Sequence, residues 1–168
     1  MNVLVLGVGN ILLSDEGAGV RVIEALQERY DVPETVAVVD GGTCGMDLLD
    51  TLADRDHLIV VDAVHTGSPP GTVVRIDGRD IPAVFRTNAT PHQLGLQEVL
   101  AKLILLERAP ARVTVIGVQP ACLDLGLALS EAVARRIDDI LRLLIAELPG
   151  IVLRPDGRVW PTAAELIA

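Results

Sequence analysis

The feature that most restricts the fold of this chain is a nearly unbroken run of β-branched and leucine residues at positions 2–8, which ends in the segment Gly7-Val8-Gly9-Asn10. A strand with one wet face alternates apolar and polar residues, whereas a continuous apolar run indicates a strand buried on both faces. Positions 17–30 then show an amphipathic helical pattern, with Val22, Ile23 and Leu26 on one face. The opening of the chain therefore predicts a buried strand followed by a helix that packs on it.

The same alternation continues along the chain. Further short apolar strands are predicted at 35–39, 57–61, 72–76 and 112–118, and helices at 46–52, from Thr90-Pro91-His92-Gln93 onward and after Ser130. The segment at 90–93 has the form of a capping box, and Ser130 is a suitable N-cap. This order predicts one α/β domain over residues 1–148, with a twisted, mainly parallel central sheet and helices on both faces. Residues 149–168 are predicted to be a C-terminal tail with a short hairpin at 154–158.

Composition limits the classes of function. The chain has 168 residues, and its apolar runs are of strand length, so we expect no membrane span. A net charge of −9 and scattered arginines argue against a nucleic acid partner. The N-terminus has no signal-peptide pattern, and Cys44 and Cys122 lack CxxC or CxxH spacing. These features predict a cytoplasmic protein whose thiols are buried or half-buried.

Several common catalytic motifs are absent from the sequence. None of the serines Ser14, Ser68 and Ser130 lies in GxSxG, and there is no HExxH segment. The single lysine, Lys102, follows no GxxxxG segment. A serine hydrolase of that type, a zincin and a P-loop enzyme are therefore not expected.

Dinucleotide binding is the main alternative that the first strand suggests. Gly7 and Gly9 match half of the Rossmann fingerprint, and Asp40 could serve as the acid that binds the ribose. The third glycine is replaced by Leu12, the helix begins late, and two acidic residues at 15–16 would face the pyrophosphate. These departures disfavour a nucleotide site.

A second set of residues has the chemistry of metal ligands. Glu16, Asp40 and Asp62 follow the first three predicted strands, and His92 begins a helix. Each alone has an ordinary explanation, since acids favour helix N-termini and turns. Together they would line one crevice, because the carboxyl ends of parallel strands meet at the same edge. Carboxylates with one imidazole suit a divalent transition metal that keeps open positions for another molecule.

The three histidines differ in how well they suit this site. His92 lies in a first helical turn, where the helix dipole favours the neutral imidazole that can bind a metal. His57 begins the strand that Asp62 ends, roughly 16 Å away at about 3.3 Å per residue. His65 lies in a loop rich in glycine and proline and is interpreted as exposed and non-ligating.

With these residues in place, the sequence resembles the maturation endopeptidases of nickel-iron hydrogenases. The resemblance covers positions 2–148 and rests on the segments LVLGVGNILL at 4–13, DE at 15–16, GVR at 19–21, DGGT at 40–43, HLIVVDA at 57–63 and TPHQLG at 90–95. Each segment alone is weakly diagnostic, whereas the ordered set is specific.

The resemblance implies a nickel site with the ligands Glu16, Asp62 and His92, and Asp40 as the acid beside it. It implies an endopeptidase that removes the C-terminal extension of a hydrogenase large-subunit precursor after nickel insertion, with the nickel supplied by the precursor. A nickel chaperone that uses the same ligands without hydrolysis is the remaining alternative. Cys44, His65 and the tail after Pro149 lie outside the resemblance.

Overall fold

The central sheet places the carboxyl ends of three parallel strands side by side. The computed structural model describes residues 1–43, 45–78 and 91–154, except for the side chain of His92. Its five-stranded sheet has the order β3-β1-β4-β6-β5. The strands are β1 (Val3–Val8), β2 (Tyr30–Asp31), β3 (Val36–Gly42), β4 (His57–Ala63), β5 (Val73–Asp77), β6 (Arg112–Val118) and β7 (Val152–Leu153), of which β2 and β7 form a separate small sheet.

Parallel pairing dominates the large sheet. β1 pairs in parallel with β3 and β4, β4 pairs in parallel with β6, and only β5 runs antiparallel at the edge. Strands β1 and β4 are buried along their whole length. The mainly parallel sheet predicted from the uninterrupted apolar runs is therefore confirmed.

Helices cover both faces of this sheet, as predicted. They are α1 (Ala18–Arg29), α2 (Leu49–Leu52), α3 (Pro91–Leu105), α4 (Glu131–Ala134) and α5 (Ile137–Glu147), with 3-10 turns at Ser14–Gly17 and Met46–Leu48. Alternate strand residues such as Val5 and Ile59 pack against α1 and α5, while Leu6 and Val60 pack against α2 and α3. Because each fully buried side chain of this kind contributes about 1.5–3 kcal/mol, the two cores together hold the helices to the sheet.

Two strands extend further than the sequence predicted. Asp40 pairs with Gly7 inside β3, and Asp62 pairs with Gly117 inside β4, although both acids were expected just after their strands. Pairing with a neighbouring strand overrides the turn propensity of Asp and Gly here. Both acids still lie at the carboxyl end of the sheet.

The apolar pattern after Ser130 predicts one long amphipathic helix, and the structure divides this segment. Ser130 is its N-cap as predicted, because its side chain accepts a hydrogen bond from the backbone N–H of Val133 at 3.4 Å. The Arg136 N–H then bonds to the carbonyl of Val133, only three residues back, which tightens the chain before α5 begins at Ile137. The segment is therefore two helices.

The start of the tail is tied to the domain. Strand β7 pairs antiparallel with β2, and Arg154 Nε donates to Asp31 Oδ1 at 2.7 Å. The predicted hairpin, the Thr90 cap and Cys44 lie outside the described residues. Over the described ranges, no helix is both long and apolar enough to cross a membrane.

Candidate functional site

The crevice between β1 and β4 lies at the topological switch point of the sheet. From β1 the chain proceeds to β3 on one side, and later it enters β4 on the other side. Open α/β sheets bind ligands at such a point, beyond the carboxyl ends of the strands. The segments that follow β1 and end β4 are therefore the expected location of a ligand-binding site.

Glycines in and after β1 let the chain pack tightly at this edge. Gly9 has φ of 129°, and a Cβ there would lie 1.7 Å from the carbonyl oxygen of Glu16. A Cβ on Gly19 would lie 2.1 Å from the carbonyl oxygen of Val61. Only glycine permits these approaches. Gly9 thus serves the packing of the 3-10 turn, which gives the half fingerprint of the sequence a structural role.

Two acidic residues are buried at the crevice. Glu16, in the 3-10 turn that packs against β4, is 7% exposed, and Asp62 in β4 is 1% exposed. Buried carboxylates are normally paired with donors or bound to a metal, because an isolated charge in a protein interior is costly. The structure therefore places two of the predicted ligands at the same edge, on neighbouring elements.

The first turn of α3 is fastened to the end of β4. The buried Gln93 donates from Nε2 to Asp62 Oδ2 at 2.7 Å and to the carbonyl of Ala63 at 3.0 Å. His92 precedes Gln93 in the same turn, and its side chain lies outside the described part. Among the described side chains, no group of three His, Cys, Asp or Glu residues could hold a metal ion. A three-ligand site here would thus need a side chain outside the described part, and His92 stays the predicted one.

Asp40 lies at the same edge but is arranged differently. It is exposed, and its Oδ1 accepts the backbone N–H of Gly42 at 2.8 Å. Its pairing with Gly7 puts it on the face of the sheet that α1 covers, whereas Asp62 lies on the α3 face. With strands about 4.8 Å apart, β3 and β4 are separated by about 10 Å. The structure does not bring Asp40 into contact with Asp62.

Sequence reasoning missed two residues near the site. Gln93 was interpreted only as part of a capping box. Asp15 was interpreted as an acid that favours a helix dipole, that would face a pyrophosphate and that belongs to the DE segment, yet it is fully buried and accepts hydrogen bonds from Ala121, Cys122 and Ser130. The available clue was the adjacency of two acids at 15–16, of which one faces a distant loop.

The other two histidines have separate surroundings. His57 begins β4, is 3% exposed, and its Nε2 lies 2.9 Å from Thr114 Oγ1. Burial, followed by the charge of Arg112, lowers the pKa of His57. His65 is half-buried in the loop after β4. The predicted position of His57 at the far end of the strand is confirmed.

Comparisons with known proteins agree with the fold just described. A family model described as hydrogenase maturation protease matches residues 20–147. The chain is 45% identical over 149 residues to the hydrogenase 2 maturation protease of Escherichia coli, covering 88% of this chain and 91% of that protein. It is 44% identical over 148 residues to the hydrogenase expression/formation protein HupD of Rhodobacter capsulatus, covering 87% and 70% respectively.

Comparison with solved structures indicates the same family of hydrogenase maturation proteases. The hydrogenase maturating endopeptidase HybD from E. coli superposes with a TM-score of 0.87 at 43% identity, covering 93% of this chain and 98% of that one. The [NiFe] hydrogenase maturation protease HybD from Thermococcus kodakarensis superposes with a TM-score of 0.74 at 26% identity, covering 88% and 99%. This chain therefore belongs to the hydrogenase maturation protease family and is an endopeptidase.

Proposed function

We propose that this protein removes the C-terminal extension of a [NiFe] hydrogenase large-subunit precursor after nickel has been inserted, and that the nickel guides the cleavage. The observation that carries the proposal is the burial of Glu16 and Asp62 on two contacting elements at the switch point of the sheet. Family membership supplies the reaction class, and the two carboxylates are oxygen ligands of a kind that a divalent metal ion in the substrate accepts.

Nickel in this proposal belongs to the substrate. The ion that the precursor presents would be bound by Glu16, Asp62 and His92. Gln93 Nε2 donates a hydrogen bond to Asp62 Oδ2 at 2.7 Å. Hydrogen bonds of this kind orient ligating carboxylates and tune metal affinity. A divalent nickel ion accepts both carboxylate and imidazole ligands.

Binding the ion would position the precursor for hydrolysis. Holding a substrate by one fixed point converts cleavage into an effectively intramolecular step. Nickel can also polarise a carbonyl or activate water. Asp40 is the candidate acid of this chain. Because β3 lies about 10 Å from β4, Asp40 would act on the bound peptide and not as a further ligand of the nickel.

Weak intrinsic nickel affinity would make the ion a checkpoint. Only three side-chain ligands are proposed and none is a thiolate, so an ion bound by this chain alone would keep several water ligands. A precursor that already holds nickel adds its own ligands. The loaded precursor would therefore bind better than the empty one, and this difference is what discrimination requires.

The state of Cys122 bears on the cell compartment. Cys122 is half-buried and free, which fits a reducing compartment. We propose that processing takes place in the cytoplasm.

The test is to incubate the purified protein with nickel-loaded precursor and to measure the precursor mass. Loss of a C-terminal peptide supports the proposal. Binding without a change in mass would instead indicate a nickel chaperone. Titration with NAD and NADP in parallel tests the dinucleotide alternative, which tight binding of either nucleotide would favour.

A further inference from the structure

We propose that Asp15 is a positioning residue for Glu16: its carboxylate fastens the 3-10 turn Ser14–Gly17 to the loop 119–130, and this contact fixes where the Glu16 side chain lies. The inference rests on the proposed role of Glu16 in binding the nickel of the precursor. Asp15 itself touches neither the ion nor the peptide in this account.

The contacts of Asp15 are unusually complete for a single carboxylate. Its Oδ2 accepts hydrogen bonds from the backbone N–H of Ala121 at 2.8 Å, from the N–H of Cys122 at 2.9 Å and from Ser130 Oγ at 2.7 Å. Its Oδ1 accepts the N–H of Ser130 at 2.7 Å. The residue is 0% exposed. Hydrogen bonds to a charged acceptor are stronger than those between neutral groups, so the loop is held firmly to the turn.

The backbone of the turn depends on the same loop. Ser14 has φ of 50°, a left-handed conformation that is unfavourable for a non-glycine residue and persists only where its surroundings impose it. The surroundings here are loop atoms: Ser14 N–H donates to the carbonyl of Gly126 at 2.8 Å, and Asp15 N–H to that of Cys122 at 3.1 Å. The loop therefore holds Asp15, which immediately precedes Glu16, and also Ser14, whose backbone is strained.

Glu16 is consequently held from two sides. Its own carbonyl oxygen packs against Gly9 at the end of β1, and its preceding residue is fastened to the loop. The far end of the loop is anchored, because Leu129 is 2% exposed and lies in the core on the α5 face. Without the Asp15 carboxylate, the donors of the loop would lose their acceptor, and the turn would be free to move Glu16 away from Asp62.

The experiment compares Asp15→Asn with Glu16→Gln, Ser130→Ala and a control of the same kind far from the site. Asn keeps the shape of Asp15 but puts an NH2 group against at least one backbone N–H of the loop. Thr114→Val is the control, since it also removes a buried hydrogen bond, the one to His57 at the opposite end of β4. Four quantities are measured: the free energy of unfolding, the affinity for Ni²⁺ alone by calorimetric titration, and kcat and KM for cleavage of loaded precursor.

We expect Asp15→Asn to weaken Ni²⁺ binding and to lower kcat/KM by about 10–100-fold, as loss of a residue that supports a metal ligand commonly does. Ser130→Ala should give a smaller loss in the same direction, because it removes one of the four hydrogen bonds. Thr114→Val should lower stability while both site measurements stay within about two-fold.

The inference is overturned if Asp15→Asn is destabilised like the control yet keeps wild-type Ni²⁺ affinity and kcat/KM. If Asp15→Asn does not fold, Ser130→Ala decides, and unchanged Ni²⁺ affinity together with unchanged kcat/KM in that variant overturns the inference too. Glu16→Gln separates this failure from failure of the proposed function: wild-type behaviour of Glu16→Gln would remove Glu16 from the ligand set itself.

Discussion

The two ends of strand β4 carry buried polar side chains with different kinds of partner. At the amino end, His57 is 3% exposed and its partner is Thr114 of the adjacent strand β6. At the carboxyl end, Asp62 is 1% exposed and its partner is Gln93 of a helix that follows in sequence. The first pair joins two strands of one sheet, whereas the second joins a strand to the start of a helix.

This contrast shows that buried polarity alone does not mark a functional site. Both residues are buried and hydrogen-bonded, so burial cannot distinguish them. What differs is the position in the sheet, since His57 lies at the amino ends of the parallel strands and Asp62 lies at their carboxyl ends. The carboxyl end of the sheet gathers the turn with Glu16, the end of β4 and the first turn of α3, each on its own loop and able to carry different chemistry.

The largest expected difference between the two ends is in catalysis. We expect Asp62→Asn and His92→Ala each to lower cleavage of nickel-loaded precursor by more than about 100-fold, since each removes a proposed metal ligand. His57→Gln should leave cleavage within about two-fold. Precursor processing followed by mass spectrometry measures this. A loss of cleavage in His57→Gln equal to that in Asp62→Asn would contradict the expected difference between the two ends of β4.

A smaller effect is expected for the residue behind Asp62. Gln93→Leu keeps a similar volume but removes the donor to Asp62 Oδ2, and we expect a loss of about 10-fold in kcat/KM. The matched control on the same helix is the exposed Glu98→Gln. Steady-state kinetics on both variants provide the measurement. Equal kcat/KM of Gln93→Leu and Glu98→Gln would show that the hydrogen bond from Gln93 to Asp62 does not affect cleavage.

At the amino end the expected effect is on stability as a function of pH. Burial lowers the pKa of His57 in the folded state, so the unfolded chain takes up this proton first as the pH falls through about 6.5. The stability contributed by neutral His57 is complete above that pH and decreases below it, by at most about 1.4 kcal/mol per pH unit.

Urea unfolding at pH values from 7.5 to about 5 measures this dependence. His57→Gln should show a shallower decline than the wild type, whereas Asp62→Asn should keep the wild-type decline over the same range. Identical curves for His57→Gln and the wild type would contradict the assignment to this imidazole.

The smallest effect is expected for the loop histidine. His65 is half-buried just beyond β4 and lies outside the family resemblance. His65→Ala should therefore leave cleavage unchanged and the free energy of unfolding within about 0.5 kcal/mol of the wild type. Thermal unfolding together with the cleavage assay tests this. Loss of cleavage in His65→Ala with normal cleavage in His92→Ala would make His65 the ligand.

Features that depend on short-range patterns could be predicted from the sequence. The uninterrupted apolar run of β1 indicated a strand buried on both faces, the amphipathic pattern indicated α1, and Ser130 was identified as a cap. In each case the residues that decide the structure lie within one element. The parallel topology then indicated the edge at which Glu16 and Asp62 lie.

Features that depend on distant partners could not be predicted. The donors to Asp15 come from residues 106 to 115 positions away, so no local pattern distinguishes its role from that of Glu16. The same applies to Gln93, whose bond to Asp62 spans 31 positions. The division between α4 and α5 was also missed, because their apolar residues keep one helical pattern across the break.

The most direct test of the account is to compare cleavage of nickel-loaded and nickel-free precursor at equal concentration, together with the metal content of the purified protein. We expect that only the nickel-loaded precursor is cleaved and that the isolated protein carries little metal. Equal cleavage of both precursors, or a stoichiometric, tightly held metal ion in the protein itself, would contradict the claim that nickel in the substrate directs the reaction.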